Sequence, residues 1–181
     1  MYEQSAGSNT GLIIDFAPFP NGSLPASQVA AAEALGRYKR GCYGGTPVAS
    51  GSGSGSGPIV IKPVSGVAAA VDRVQIREDQ SRGQIVRSFS LTAQLSNGST
   101  VPLCPERGGS SIGNKYICVL PPPGLQVKRL SLTVTSAAEG AMATITQFAA
   151  FSCGGLAQEI DESWAHPSAR SLGQQGDGAG L

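Results

Sequence analysis

The segment from Val74 to Ser90 constrains the fold of this chain more than any other. Its sequence, Val-Gln-Ile-Arg-Glu-Asp-Gln-Ser-Arg-Gly-Gln-Ile-Val-Arg-Ser-Phe-Ser, predicts a strand, a tight turn at Ser81-Arg82-Gly83 and a second strand. Apolar and polar residues alternate in the second strand, and successive side chains of a strand point to opposite faces of a sheet. The segment therefore predicts two strands joined by a tight turn.

Strand character recurs along the rest of the chain. Each predicted strand is rich in Val, Ile, Thr, Leu or Phe, and turns containing Gly, Pro, Ser or Asn separate it from the next. A succession of strands without intervening helices is typical of a β-sandwich. The predicted strands are Val71–Ile76, Ile85–Leu95, Lys115–Leu120, Lys128–Thr135 and Thr144–Ser152, with Ile59–Ile61 as a short edge strand.

The N-terminal region has a different pattern. Residues 11–17 form a short apolar run bounded by Gly and Pro, which predicts a buried strand. A helix is predicted over residues 26–40, beginning after Ser23 and Pro25 and ending at Gly41. One strand and one helix form a βα unit, which cannot bury its apolar faces alone.

Two stretches have the composition of irregular chain. Residues 44–58 are rich in Gly and Ser and predict a flexible linker. Residues 154–181 contain Trp164 and end in a polar, Gly-rich stretch for which we expect disorder.

The charge content is low. Only 14% of the 181 residues are charged and the formal net charge is +1, so we expect no nucleic-acid partner. No apolar stretch reaches the roughly 20 residues that span a bilayer. The N-terminus lacks a signal-peptide pattern, whereas Asn21 and Asn97 begin sequons that accept glycans in a secretory lumen. The compartment therefore stays open.

The four cysteines form an even set, which allows three pairings. Cys104 and Cys118 flank a Gly/Ser-rich loop and are the candidates for a disulfide that staples a hairpin. The cysteine spacing matches no CxxC metal site, and His166 is the only histidine. We therefore expect no metal and no cofactor.

Two motif regions resemble segments of the α-L-fucosidases, a glycosidase family. One is Ile76-Arg77-Glu78 with Gly83-Gln84 and Phe89, followed by Gly113-Asn114-Lys115; it resembles the C-terminal β-sandwich of that family. The other, residues 9–22 followed by Leu24-Pro25, resembles the last strand of the catalytic barrel and the start of its helix. The two regions occur in the order that the family has.

The resemblance covers about residues 5–152 and implies a mostly β protein. It would be a jelly-roll or galactose-binding-like β-sandwich preceded by a single βα remnant of a (β/α)8 barrel. Residues 1–43 would be the final βα unit, 44–58 the linker, 59–153 the sandwich and 154–181 the tail. The family resemblance also implies a secreted or lysosomal-type lumen.

A retaining glycosidase needs two carboxyl groups about 5–5.5 Å apart. Glu78 and Asp79 are neighbours in sequence, and neighbours on a strand point to opposite faces, so they cannot face one sugar together. We expect both at a solvated turn entry. In the α-L-fucosidases the nucleophile and the acid/base come from earlier barrel loops, which have no counterpart here. We therefore expect the chain alone to be inactive.

Five residues are candidates for sugar binding. Asp15 and Phe16 end the predicted barrel strand, the end that faces the active site in barrel enzymes; the alternative is that they pack and hydrogen-bond locally. Tyr116 is the best candidate for an exposed aromatic ring against a sugar, with Asn114 and Lys115 beside it. The alternative for Lys115 is that its side chain only solvates the surface of the sheet and binds no sugar. Phe148 and Phe151 should face opposite sides of their strand, with at least one of them in the core.

Two functional hypotheses follow. In the first, the chain is the C-terminal part of an α-L-fucosidase-like retaining exo-glycosidase that hydrolyses terminal fucose, and its partner is the catalytic barrel. In the second, it is a non-catalytic carbohydrate-binding or structural module that exists as its own chain, with a fucosylated glycan as the candidate ligand. A third possibility is a truncated product with no independent function.

Overall fold

The computed structural model describes residues 2–55, 57–105 and 111–154. They divide into two compact units. The first contains residues 2–14 and the described part of 45–154, and the second contains residues 15–44. The predicted tail and Trp164 lie outside the described residues.

The first unit is built from nine strands. They are β1 (Ala49–Ser54), β2 (Ile59–Ile61), β3 (Ala69–Val71), β4 (Arg73–Glu78), β5 (Val86–Leu95), β6 (Thr100–Pro102), β7 (Tyr116–Val119), β8 (Leu125–Ala137) and β9 (Thr144–Phe151).

The strands form two antiparallel sheets. Sheet 1 has the order β1-β9-β4-β7, and sheet 2 has the order β2-β8-β5-β6, with β3 also paired to β8. Strand β8 is 13 residues long, so it can pair with β2 at Leu130–Leu132 and with β3 at residues 125–127. The predicted β-sandwich is confirmed.

The core lies between the two sheets. Alternate residues of β4 and β9, such as Ile76 and Phe148, pack in one cluster with Phe89 and Leu132 from β5 and β8. Each of these four side chains is at most 4% exposed. The alternation in β5 is interrupted by register shifts near Ser88, yet its apolar residues still face inward.

The predicted Gly/Ser linker over 44–58 is wrong over residues 49–54, which form strand β1 on the edge of sheet 1. Its glycines have a packing role. A Cβ atom on Gly51 would lie 2.8 Å from Cγ2 of Ile61, and one on Gly53 would lie 3.0 Å from Cγ1 of Ile59. The absent side chains let β2 of the other sheet approach β1 closely.

The predicted buried strand over residues 11–17 is also wrong. The structure has no strand there, and Ile13 is 88% exposed. A strand needs a neighbour for its backbone N–H and C=O groups. The described chain supplies none to this segment, and the Ala17 N–H donates to the Gln28 side chain instead.

The second unit contains one helix, α1 (Ala26–Tyr43). Its start agrees with the prediction, but it continues through Gly41, where the sequence predicts a stop. Glycine costs only about 1 kcal/mol in a helix interior. The last turn is held by the Gly44 N–H, which donates to the Arg40 carbonyl at 2.9 Å, and by the edge-on contact of the Tyr38 and Tyr43 rings. Within the described residues no helix has the length and apolarity to cross a membrane.

Candidate functional site

The Gly113 turn, residues 112–116, is fixed by the carboxylate of Glu78 at the end of β4. That carboxylate accepts the N–H of Gly113 at 3.0 Å with one oxygen. Its other oxygen accepts the N–H groups of Ile85 and of Val86, the latter at 2.7 Å. Glu78 is 4% exposed, so the predicted solvated position is wrong for this residue. Two buried donors and one partly buried donor need an acceptor, and a carboxylate with two oxygens supplies it.

The first residues of the chain cover the outer side of the same turn. The Asn9 side-chain oxygen accepts the Asn114 N–H at 2.7 Å, and the Asn9 N–H donates to the Lys115 carbonyl at 2.9 Å. The Gly7 carbonyl accepts the Ile117 N–H at 2.7 Å. Segment 7–9 therefore adds hydrogen bonds along the free edge of β7. A glycine is required at 113 because φ is 65° and an added Cβ would overlap Asn9.

Lys115 lies on the tyrosine at the start of the chain. Its Nζ donates to the Tyr2 hydroxyl at 2.9 Å and lies 5.3 Å from the centre of the Tyr2 ring. Asn114 is exposed and Lys115 is partly buried. These two predicted site residues thus sit side by side at one corner of sheet 1.

Tyr116 is not the exposed aromatic that the sequence predicts. It is 4% exposed, and its ring packs edge-on against Phe89 with 5.0 Å between the ring centres. The physical reason is the inward orientation of this strand position, which pairs with Ile76 in the core. Phe148 and Phe151 are buried as well, at 0% and 4% exposure. None of these rings is available to stack on a sugar.

Asp15 and Phe16 belong to the second unit. Both are exposed, Phe16 by 37%. The structure does not place them on a strand, and their role in sugar binding stays a prediction. The structure brings together Asn114, Lys115 and Tyr116, which are consecutive, and describes Asp15 and Phe16 in a separate unit.

The carboxylate next to Glu78 has a local role. Asp79 accepts the Ser81 N–H at 2.9 Å. This bond, then the Ser81 hydroxyl and the Arg82 charge, hold the pKa of Asp79 below its ordinary value of 3.8. Asp79 thus stabilises the turn at Ser81–Gly83, which the structure forms with a Gly83 φ of 83°.

A second buried carboxylate, that of Asp72, lies just before β4 in sheet 1 and binds the backbone just after β9. Asp72, at 9% exposure, accepts the N–H groups of Cys153, at 2.9 and 3.0 Å to its two oxygens, and of Gly154 at 3.0 Å. Sequence reasoning missed both Asp72 and the buried role of Glu78. The sequence did carry a signal for Glu78. The Ile-Arg-Glu motif contains Glu78 and the Gly-Asn-Lys motif contains Gly113, and these two residues are the partners of the contact described above.

The structure pairs Cys104 with Cys118, with 5.9 Å between their Cα atoms. Both sulfurs lie in the core cluster. The two sequon asparagines, Asn21 and Asn97, are exposed in turns where each side-chain oxygen accepts the N–H of the serine two residues on. Both positions stay predictions as glycan acceptors.

A shallow cavity of about 350 Å³ lies at the end of β8. Its walls carry small and apolar side chains, with no charged or aromatic group among them, and so suit a sugar poorly. The lining residues are Gly55, Val134, Thr135, Ser136, Ala137, Ala141, Met142 and Ala143. Across the described ranges no three His, Cys, Asp or Glu side chains are grouped to hold a metal ion.

Several solved structures align with this chain. An enzyme of Bacteroides thetaiotaomicron assigned as an α-L-fucosidase is 28% identical over 83% of this chain, with a TM-score of 0.73. The chain resembles part of an α-L-fucosidase. A glycoside hydrolase 29 family member from a rumen bacterium aligns with a TM-score of 0.70 at 23% identity, and a Ruminococcus gnavus GH29 fucosidase aligns with 0.70 at 16%.

The alignments cover most of this chain but only a small share of each solved structure. They cover 83% of this chain in all three, but only 32% of the Bacteroides thetaiotaomicron fucosidase, 27% of the rumen protein and 35% of the Ruminococcus gnavus fucosidase. The chain thus spans about a third of the length of these structures. No protein-family model matches the sequence, and no curated protein matches it significantly.

Proposed function

We propose that this chain is the C-terminal portion of an α-L-fucosidase-like retaining exo-glycosidase that releases terminal fucose from glycans. The nucleophile and the acid/base of that enzyme would lie outside this sequence. The sandwich would support the catalytic barrel, which is the partner of this chain.

The observation that carries this proposal is the partial match to the Bacteroides thetaiotaomicron structure. At 28% identity, 83% of this chain aligns with only 32% of a protein assigned as an α-L-fucosidase. The described residues of this chain form the β-sandwich that the sequence motifs predict.

The hydrogen bonds of the two buried carboxylates agree with a structural, non-catalytic role for the sandwich. Glu78 and Asp72 accept backbone N–H groups from three and two residues respectively, so their charges are used to close turns. A catalytic carboxylate must instead face the substrate within hydrogen-bond reach. Neither residue is available for that chemistry.

The transcript of the gene tests the proposal. The expected result is a reading frame that continues upstream of the codon for Met1 and encodes a domain with a pair of catalytic carboxylates. A stop codon shortly upstream, in a transcript that yields this chain alone, would contradict it.

Two measurements on the purified chain complete the test. We expect no hydrolysis of 4-nitrophenyl α-L-fucopyranoside. A titration with L-fucose followed by heteronuclear NMR distinguishes the alternative, because saturable shifts confined to the sandwich would favour a carbohydrate-binding module. L-Galactose, which differs from L-fucose at a single carbon, is the matched control sugar.

A further inference from the structure

One arginine of the sandwich has a buried donor without an acceptor. The Nε–H of Arg77, on β4, is buried and has no hydrogen-bond partner among the described residues. A buried donor left unsatisfied costs about 1–3 kcal/mol, and more when the group is charged. This cost is removed when an acceptor binds.

A second cation lies beside this arginine. On sheet 1, Ile76 of β4 pairs with Tyr116 of β7, and both point into the core. Arg77 follows Ile76 and Lys115 precedes Tyr116, so the antiparallel register sets the two cations opposite each other on the outer face. Like charges directly opposite each other destabilise a sheet. On the other side of Arg77 the register places the neutral Gln147 of β9.

The nearby carboxylates do not neutralise this pair. Glu78 is engaged by backbone N–H groups, and the Glu3 carboxylate lies 3.7 Å from Arg73. Within the described ranges no carboxylate oxygen lies within 4.0 Å of the Arg77 or the Lys115 side-chain nitrogens. The Lys115 ammonium contacts the neutral Tyr2 hydroxyl and ring, which leave its charge in place.

We propose that Arg77 and Lys115 together bind a carboxylate group. A guanidinium presents a planar set of donors that matches the two oxygens of a carboxylate, and an ammonium adds a point charge. The carboxylate is carried either by an acidic sugar, such as a uronic acid, or by a Glu or Asp side chain in another part of the full-length protein. The acidic-sugar case does not depend on the proposed function, whereas the side-chain case rests on its premise that this chain is a portion of a longer protein.

The test is an NMR titration of the full chain that follows the Arg77 Nε–Hε signal. The ligands are sodium acetate, D-glucuronate, N-acetylglutamate α-amide and inorganic phosphate, with D-glucose as the neutral partner of D-glucuronate. We expect saturable shifts with the carboxylates and none with D-glucose. Tighter binding of D-glucuronate than of acetate assigns the site to an acidic sugar, and preference for the glutamate derivative assigns it to a protein side chain.

Three variants locate the site. Arg77→Gln and Lys115→Gln should each weaken carboxylate binding about tenfold, the loss of a charge-assisted hydrogen bond. Arg77→Lys keeps the charge but removes the planar donors, and should also weaken it. The matched control Arg87→Gln removes an exposed arginine from β5 of the other sheet and should change nothing.

The proposal is overturned if no carboxylate shifts the Arg77 signal, or if phosphate binds more tightly than every carboxylate. Binding that survives both Arg77→Gln and Lys115→Gln also overturns it. Urea unfolding of each variant identifies a misfolded protein. If Arg77→Gln does not fold, Lys115→Gln and the wild-type titration still decide the outcome.

Discussion

Glu78 and Gly113 are joined twice. The backbone N–H of Glu78 donates to the Gly113 carbonyl at 3.0 Å, and the Gly113 N–H donates to the Glu78 carboxylate, also at 3.0 Å. The same carboxylate holds the N–H groups of Ile85 and Val86 at the start of β5. One buried side chain therefore ties three segments of the sandwich together.

Replacing Glu78 by Ala should strongly destabilise the sandwich. It leaves three N–H groups without their acceptor, and we expect the free energy of unfolding to fall by about 2–4 kcal/mol. Glu78→Gln retains one acceptor oxygen and should cost less. Urea unfolding measures both, with Glu139→Gln, an exposed carboxylate, as the control. Equal stability of Glu78→Ala and wild type would show that the carboxylate contributes nothing.

The Gly/Ser run also determines the packing of the two sheets. An Ala at Gly51 would place its Cβ atom 2.8 Å from the branched methyl of Ile61, which is 3% exposed and cannot move aside. We expect Gly51→Ala to lower the free energy of unfolding by about 1–3 kcal/mol, the usual cost of overpacking a core. Thermal unfolding followed by circular dichroism measures the loss.

A glycine of the same run serves as the control. Gly57→Ala meets no atom within 4 Å, and its φ lies outside the left-handed region, so it should be close to neutral. The double variant Gly51→Ala/Ile61→Ala tests the cause. If the contact is responsible, the Gly51→Ala change should cost less in the Ile61→Ala background than in the wild type. A flexible linker would tolerate both alanines equally.

The strands that the sequence predicts are those with a regular apolar pattern. Segments 86–95 and 144–151 match the predictions to within a residue or two, because alternation and composition are local properties of the chain. Strand β1 could not be predicted in this way. Its Gly/Ser composition is typical of a linker, and it forms a strand because β9 supplies hydrogen bonds and β2 covers its glycines.

The sequence singled out residues of the Gly113 turn but not their contacts. The Ile-Arg-Glu and Gly-Asn-Lys motifs contain Glu78 and Gly113, and the structure shows that these two residues contact each other. The burial of Tyr116 depends on Phe89, which is distant in sequence. The contact of Tyr2 with Lys115 joins residues 113 positions apart, and no local pattern reports such a contact.

The disulfide between Cys104 and Cys118 should stabilise the folded state. It closes a loop with a sequence separation of 14, and a loop of about 15 residues corresponds to roughly 3 kcal/mol of unfolded-state entropy. We expect the Cys104→Ser/Cys118→Ser variant to lose about 2–4 kcal/mol in the free energy of unfolding. Chemical denaturation of the two proteins measures the difference. A loss below about 0.5 kcal/mol, the range of a neutral surface change, would contradict the expectation.

Asp79 gives a prediction about pH. The Ser81 N–H, then the Ser81 hydroxyl and the Arg82 charge, lower the pKa of Asp79 below 3.8. A carboxyl group whose pKa is lower in the folded than in the unfolded state stabilises the fold above the unfolded value. This contribution is present above about pH 4 and is lost as the pH falls through the folded pKa. An NMR titration of the Asp79 carboxyl carbon between pH 7 and pH 2 should therefore give a pKa below 3.8.

Two variants separate the causes of this shift. Ser81→Ala removes the hydroxyl but keeps the backbone N–H, which is the larger cause, so the pKa of Asp79 should rise only part of the way. Arg82→Gln removes a smaller contribution and should raise it less. A pKa that is unchanged in Ser81→Ala, or is higher in Arg82→Gln than in Ser81→Ala, would mean that charge rather than hydrogen bonding organises this turn.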